Sequence, residues 1–471
     1  MRRIALVLHR YVGLLTAVFL IVAGLTGSLL AFYHELDVLL NPGCRRVPLP
    51  SPTAAPLDTF TLHERLHAAV PGIKVDTIPL KPVEPGHAVV FFVETDDESA
   101  DDEYFLNPYT GEVIGSRKWG DITQGTKNLM PFAYRLHYSL ALGEVGSLLF
   151  GIIALLWTFD CFVGAYLTFP PRQAGVVNPP NAAPRRGWWR CWWQSWKVKT
   201  GGLFKTTFTF HRASGLWLWA LLFVFAWSAV GLNLQPVYHP VMNTTFGMGP
   251  QVRQMLPERD TPLDAPKLDW QAARARGRVL MAAEAAARGF TLGDEEQLRY
   301  LPQTGTYQYR VHSSLDVSRR RSGTFVYFDG DTGEKRAFQA PTGEAMGNTI
   351  TSWLYALHFA AVGGLPYRIL VSVGGVFIAM LSISGVVIWW VKRKSRWRQN
   401  RLQKQNTTRK QSKLGAVETA AAPLPTSPCM CPRVLTRKEP ACESLLKLQG
   451  SPRSWQPPPP QPGQTLRALL I

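Results

Sequence analysis

Four stretches of nearly unbroken apolar character, residues 11–33, 148–169, 216–234 and 369–391, divide the chain. Each has the roughly 20 residues that a helix rising 1.5 Å per residue needs to cross a hydrocarbon core about 30 Å thick. Asp160 is the one charged side chain within them. The first stretch is too long for a signal peptide and no small-x-small cleavage site closes it, so it reads as a retained helix. Between these stretches the pattern changes period. Residues 57–69 and 270–288 repeat like amphipathic helices, whereas 87–94, 102–106, 297–302, 307–313 and 323–328 alternate or run apolar like strands. Turn residues close each set, Pro108-Tyr109-Thr110-Gly111 in the first and Asp329-Gly330-Asp331-Thr332-Gly333 in the second.

Self-comparison shows the same order twice. His9-Arg10-x-x-Gly13-Leu14 opens the first apolar stretch and His211-Arg212-x-x-Gly215-Leu216 opens the third. Leu136-His137 and Leu357-His358 introduce the second and fourth, and the 27 residues from His137 to Gly164 equal those from His358 to Gly385. The segment Tyr104-Phe105-Leu106-Asn107-Pro108-Tyr109-Thr110-Gly111-Glu112 matches Val326-Tyr327-Phe328-Asp329-Gly330-Asp331-Thr332-Gly333-Glu334. The fold class expected is therefore a membrane α-helical protein, four transmembrane helices in an internally duplicated arrangement with two small α/β domains outside the cytoplasm. The expected segments are helix 1–36, outer domain 37–131, helix and extension 132–170, inner loop 171–207, helix 208–235, outer domain 236–350, helix and extension 351–392, and a disordered cytoplasmic tail over 393–471, which is polar, basic and then Pro-rich at residues 457–460.

The net charge of +18 suggests nucleic acid until the charges are placed. Arg2, Arg3 and Arg10 precede the first helix. Arg172, Arg185, Arg186, Arg190, Lys197, Lys199 and Lys205 fill the loop between the second and third, and Lys392, Arg393, Lys394, Arg396 and Arg398 follow the fourth. All three sites fall on one side of a four-helix path, which the positive-inside rule makes the cytoplasm, with both termini there. The segment on the other side carries the acidic run Asp96, Asp97, Glu98, Asp101, Asp102 and Glu103. The expected partner is membrane lipid, with no nucleic acid. Of six cysteines only Cys44 falls clearly outside, so no disulfide framework forms there within one chain. Cys429-x-Cys431 lacks a second ligand pair for a metal.

Six of the ten histidines flank the apolar stretches: His9, His34, His137, His211, His239 and His358. Ionisable groups at membrane depth face an interior site rather than lipid, and neutral imidazole is the common axial ligand of haem iron. His9 and His211 begin helices one and three at equal depth and form a candidate inner ligand pair. His34, His137, His239 and His358 lie near the outer ends, with His137 and His358 paired by the repeat. His9 and His34 are 25 residues apart, about 37 Å on a continuous helix and within roughly 20° of one face. Pro236 interrupts the equivalent path from His211 to His239 and makes His239 the weaker ligand. Helix-end histidines also bind carbonyls or lipid headgroups, and the repeated contexts are what favour a shared role.

Arg10 and Arg212 suit haem propionates and equally suit positive-inside anchoring. Gly13, Gly24, Gly27, Gly215, Gly374 and Gly385 allow either a flat macrocycle or close helix packing. Trp188, Trp189, Trp192, Trp193 and Trp196 read as an interfacial anchor more readily than as an electron relay. No G-x-G-x-x-G follows a strand and no P-loop is present, so the chain shows no nicotinamide, flavin-dinucleotide or nucleotide site, and no residue stands out as catalytic.

The two His-Arg-x-x-Gly starts, the segment Leu136-His137-Tyr138-Ser139-Leu140-Ala141-Leu142-Gly143-Glu144-Val145-Gly146 and the Asn-Pro-Tyr-Thr-Gly-Glu turn resemble the PepSY-associated transmembrane family, over roughly residues 1–395. That family includes bacterial inner-membrane proteins of iron uptake, among them ferric-siderophore reductases carrying b-type haem. The resemblance implies PepSY-like domains on the periplasmic side and haem b, one or two groups, held by His9, His137, His211 and His358. The function expected is electron transfer across the inner membrane to a ferric siderophore or another ferric complex, from an electron donor, quinol or cytoplasmic reductase, that no motif identifies. The second copy departs from the pattern, since Phe359-Ala360-Ala361-Val362-Gly363-Gly364 follows His358 without a match for Glu144. Two other readings stay open, a non-enzymatic PepSY scaffold or regulator and a metal or siderophore permease. The permease reading needs polar residues midway through the helices, where Asp160 and Ser228 are few.

Overall fold

The computed structural model describes residues 1–94, 97, 99–171, 187–250, 252–318, 320 and 322–420. Arg172, Arg185, Arg186, Asp96, Glu98, Cys429, Cys431 and the Pro-rich segment lie outside the described residues. Among the described residues, those up to 389 form one compact body and those from 390 onward a second unit.

The apolar stretches become helices, with one departure from the expected spans. Helix α1 (Arg2–Leu30), α6 (Gly143–Thr168) and the membrane-length part of α14 (Gly364–Ala420) are each long and apolar enough to span a bilayer. The third apolar stretch is divided between α8 (Leu203–Trp217) and α9 (Trp219–Asn233), which meet at a bend of 69° and count as a fourth span only if taken together. Ser214 and Gly215 immediately precede the bend, and Ser214 Oγ donates to the Phe210 carbonyl at 2.8 Å, a combination known to loosen a helix. The protein is thus a multi-span α-helical membrane protein. Its last helix also runs to Ala420, past Arg398, where the sequence reading placed disorder. An established helix propagates without a new nucleation step through the Lys-, Arg- and Gln-rich residues that follow.

Short helices punctuate the ends of the spans. They are α2 (Tyr33–Leu40), α3 (Pro42–Arg45), α5 (Leu129–Ser139), α7 (Trp188–Trp193), α10 (Gln235–Phe246), α11 (Val252–Met255) and α13 (Met346–His358). Helix α1 packs closely on α14. A Cβ at Gly24 would lie 2.5 Å from the Gly375 carbonyl, and Ser28 Oγ donates to the Ser372 carbonyl at 2.7 Å while Ser372 Oγ donates back to Ser28 at 3.0 Å. Gly24 is therefore a packing glycine.

Two antiparallel sheets make up the parts outside the spans. The first has the order β2 (Val89–Phe92), β3 (Glu103–Leu106), β4 (Val113–Arg117), and α4 (Thr59–Ala69) covers it through Leu62 and Leu66. In the second, β1 (Thr77–Pro79) precedes β5 (Leu292–Leu301), β6 (Thr306–Ser313), β7 (Thr324–Asp329) and β8 (Lys335–Gln339), with α12 (Trp270–Arg288) packed on it. The β3–β4 and β7–β8 turns close with the same hydrogen bonds. Gly111 N donates to Asn107 O at 2.8 Å and Gly333 N to Asp329 O at 2.9 Å, with φ of +73° and +69° at the two glycines.

Strand β1 belongs to the first outer segment yet completes the second sheet. Ile78 pairs with Leu298, and Asp76 accepts from Arg299 Nη2 at 2.8 Å beside it. Ile78 is fully buried in the second core together with Phe60 and Leu80. Ile78→Ala is expected to remove about 2–5 kcal/mol from that core. Limited proteolysis should then cut the second lobe, although the substitution is in the first.

The first sheet is tied to α2 by a buried ion network. Arg117 Nη1 and Nη2 donate to the two Asp37 oxygens at 2.9 and 3.0 Å, and its Nε donates to Glu103 at 2.6 Å. Arg45 Nε also donates to Asp37, at 2.7 Å. Asp37, Glu103 and Arg117 are each 1% exposed or less.

Candidate functional site

Four of the six flanking histidines come together as two pairs. The His9 ring on α1 and the His211 ring on α8 have centres 6.0 Å apart at 62°. His137, near the end of α5, and His358, the last residue of α13, have centres 6.1 Å apart at 74°.

Each of these rings is fixed through Nδ1. His9 Nδ1 lies 2.9 Å from Asp160 Oδ1, and His211 Nδ1 lies 3.1 Å from the Leu381 carbonyl and 2.9 Å from Ser384 Oγ. His137 Nδ1 lies 3.0 Å from the Ala23 carbonyl and 3.1 Å from Thr26 Oγ1. Carbonyls and a carboxylate only accept, so these three rings carry their proton on Nδ1. His358 Nδ1 meets Ser228 Oγ at 2.6 Å. That hydroxyl donates to the Val224 carbonyl at 2.6 Å, which leaves it to accept from the ring. In the neutral imidazole a proton on Nδ1 leaves the Nε2 lone pair available to a ligand-binding role, the arrangement by which second-shell groups orient metal-bound imidazoles.

Glycines make room beside the rings. A Cβ at Gly164 would stand 3.4 Å from His9 Cε1, one at Gly385 3.3 Å from His211 Cε1, and one at Gly27 2.9 Å from His137 Cε1. The equal intervals His137–Gly164 and His358–Gly385 thus place, at the end of each interval, a glycine that clears an inner histidine. Gly13 meets nothing within 4 Å, Gly215 makes ordinary contact with Leu381, and a Cβ at Gly374 would crowd Leu221. The contacts of His137 with Ala23, Thr26 and Gly27 lie 14 to 18 residues beyond His9 on α1. The two pairs are therefore separated by about 21–27 Å along that helix.

His34 and His239 do not join the outer pair. Helix α1 ends at Leu30 and the chain turns before α2, so the continuous helix expected to carry both His9 and His34 is absent. His34 instead faces His87, with ring centres 5.8 Å apart. Partial burial of the ring first, then the charge of Arg45, holds its imidazole below the ordinary pKa. His239 lies on α10 beside Tyr238, ring centres 6.0 Å apart, and its Nδ1 is buried without a hydrogen-bond partner among the described residues.

The arginines after the inner histidines are only partly committed. Arg212 Nη2 donates to the Gln194 carbonyl at 2.8 Å, while its Nε is buried without a partner among the described residues. Arg10 is half-buried and makes no hydrogen bond or ion pair among the described residues. Both are available to an anionic group near the inner pair. In the Trp cluster, Trp192 Nε1 donates to Thr168 Oγ1 at 3.2 Å, and Trp188, Trp189 and Trp193 are exposed, as an anchor at the end of α6 requires.

Asp160, Thr26, Ser228 and Ser384 were not read as site residues in the sequence. Asp160 carried the one usable signal, a lone charge in an apolar helix, which calls for a partner. The hydroxyls look like ordinary helix residues until the histidines are placed. No curated relative matches the chain. The PepSY-associated TM region matches residues 6–392, a stretch that takes in both histidine pairs and both sheets, and the chain belongs to that family.

Proposed function

We propose that the protein is a haem-carrying electron-transfer protein of the bacterial inner membrane that reduces a ferric siderophore or another ferric complex on the periplasmic side. The observation that carries this reading is the spacing of the two histidine pairs. A metal–imidazole bond of about 2.0–2.1 Å plus roughly 1.1 Å to the ring centre puts the rings of a bis-histidine iron about 6.3 Å apart. The pairs stand at 6.0 and 6.1 Å. Each ring of both pairs is held through Nδ1, which leaves Nε2 as the atom for a ligand.

In this reading His9 and His211 hold an inner haem b and His137 and His358 an outer one, with Arg10 and Arg212 on the inner propionates. Bound haem would supply a one-electron couple between the donor and the ferric complex. The chain's own work is to orient the ligands and tune them. Asp160 strengthens His9 as a donor by accepting its Nδ1 proton, whereas the neutral acceptors at His137 and His358 do so less. The two halves of the chain act as duplicated units, consistent with the matching turns and histidine contexts. Positive residues at Arg2, Arg3 and Lys205 favour cytoplasmic termini. The donor is a quinol or a cytoplasmic reductase.

A reduced-minus-oxidised spectrum with haem quantitation on detergent-purified protein tests this directly. Two b-type haems per chain are expected, with the reduced protein reoxidised by a ferric siderophore. Protein purified without haem from cells well supplied with it would overturn the proposal and favour the scaffold reading.

A further inference from the structure

The residue left out of the outer histidine pair has a different neighbourhood. His34, Glu84 and His87 each offer one ligand atom, and these atoms all lie within 4.8 Å of one another. We propose that these three side chains form a binding site for a divalent transition-metal ion, separate from both histidine pairs.

The backbone builds this site. Glu84-Pro85-Gly86-His87 is a tight turn in which His87 N donates to the Glu84 carbonyl at 3.1 Å, with Pro85 setting the second position and Gly86 at φ +79°. Such a type II turn requires positive φ at its third residue and brings the first and fourth residues together. The turn is then clamped from both sides, Val47 N to Gly86 O at 3.0 Å and Ala88 N to Arg45 O at 3.1 Å. Two of three ligands are thus held by backbone, and α2 delivers the third as its second residue.

The side chains are left as a ligand set would leave them. His87 Nδ1 is buried with no hydrogen-bond partner among the described residues, and Glu84 Oε2 stands 3.9 Å away, too far to satisfy it. Two ligand atoms on one tetrahedral ion at about 2.1 Å lie roughly 3.4 Å apart, so a modest rotation of the exposed His34 and Glu84 side chains closes the set. Arg45, whose charge reaches His34, is already committed to Asp37. Two imidazoles and one carboxylate select a borderline ion such as Zn²⁺ or Fe²⁺ over Ca²⁺ or Mg²⁺, which take oxygen ligands. Three protein ligands also leave a coordination position open.

Zn²⁺ binding measured by equilibrium dialysis on untagged full-length protein, with Cys429 and Cys431 both changed to serine, tests the site. One Zn²⁺ per chain is expected, weakened at least about tenfold by His87→Ala and by the exposed, structurally mild changes His34→Ala and Glu84→Gln. Changing His63 and His67, which approach each other with Nε2 atoms 3.1 Å apart on α4, should leave this binding intact. Absence of Zn²⁺ binding, indifference to His34→Ala and Glu84→Gln, or loss through the His63/His67 change instead would each overturn the proposal.

Discussion

On the haem ligation proposed above, His358→Ala is expected to cut electron delivery to the ferric complex sharply while the protein keeps its inner haem. The outer pair has only two rings, and removing one leaves His137 alone at a site where its partner's ring centre stood 6.1 Å away. Loss of a ligand to the proposed haem, rather than of a supporting contact, should lower ferric reduction on the order of 100-fold or more. The spectrum should retain a b-type signal from the pair His9 and His211. His34→Ala and His239→Ala serve as the comparison, because both residues lay in the same outer group by sequence and neither meets His137 or His358 in the fold. Equal loss of haem from all three variants would show that fold damage, not ligation, causes the effect.

Arg117→Ala is expected to destabilise the first lobe by about 3–5 kcal/mol, since it leaves Asp37 and Glu103 as buried carboxylates with their principal partner gone. Arg117→Lys should rescue little, because one ammonium cannot reproduce bonds from Nε, Nη1 and Nη2 to two carboxylates. Thermal unfolding followed by protease sensitivity of the first lobe measures both. The same network sets an acid limit. Burial raises the Asp37 pKa, but hydrogen bonds and charge from Arg117 and Arg45 outweigh it and hold the carboxyl below its ordinary value. A depressed folded-state pKa stabilises the fold above the unfolded value of about 3.9 and loses that contribution as pH falls through the folded one. Wild-type protein should therefore lose first-lobe stability below about pH 4. In Arg117→Ala that acid-dependent loss should largely vanish.

Features written in local chemistry were legible in the sequence. Helix α12 spans residues 270–288 as expected because Asp269 caps it, accepting from Ala272 N at 2.7 Å, and Gly289 ends it at φ +72°. The histidine pairs were legible for another reason, since repeated contexts put matched residues at matched depths. What escaped depends on distant partners. Strand β1 is three residues long, includes Pro79, and pairs with a strand more than 200 residues away. The bend at Leu218 carries no proline, and hydropathy averages across it. The end of α1 ahead of His34 is unmarked in the sequence, since residues 31–32 contain neither Gly nor Pro.

Strand β1 also bears on how the molecule is made. The ribosome completes residues 77–79 long before their sheet exists, so the first lobe must hold a donor strand ready while more than 200 further residues are synthesised. A fragment beginning at residue 187 would contain β5 through β8 but expose the flank of β5 that β1 covers, an open edge that invites self-association. Supplied together with residues 1–171, the same fragment has its missing strand within reach. Two separately produced pieces should thus remain dispersed as a pair and clump when the second is produced alone.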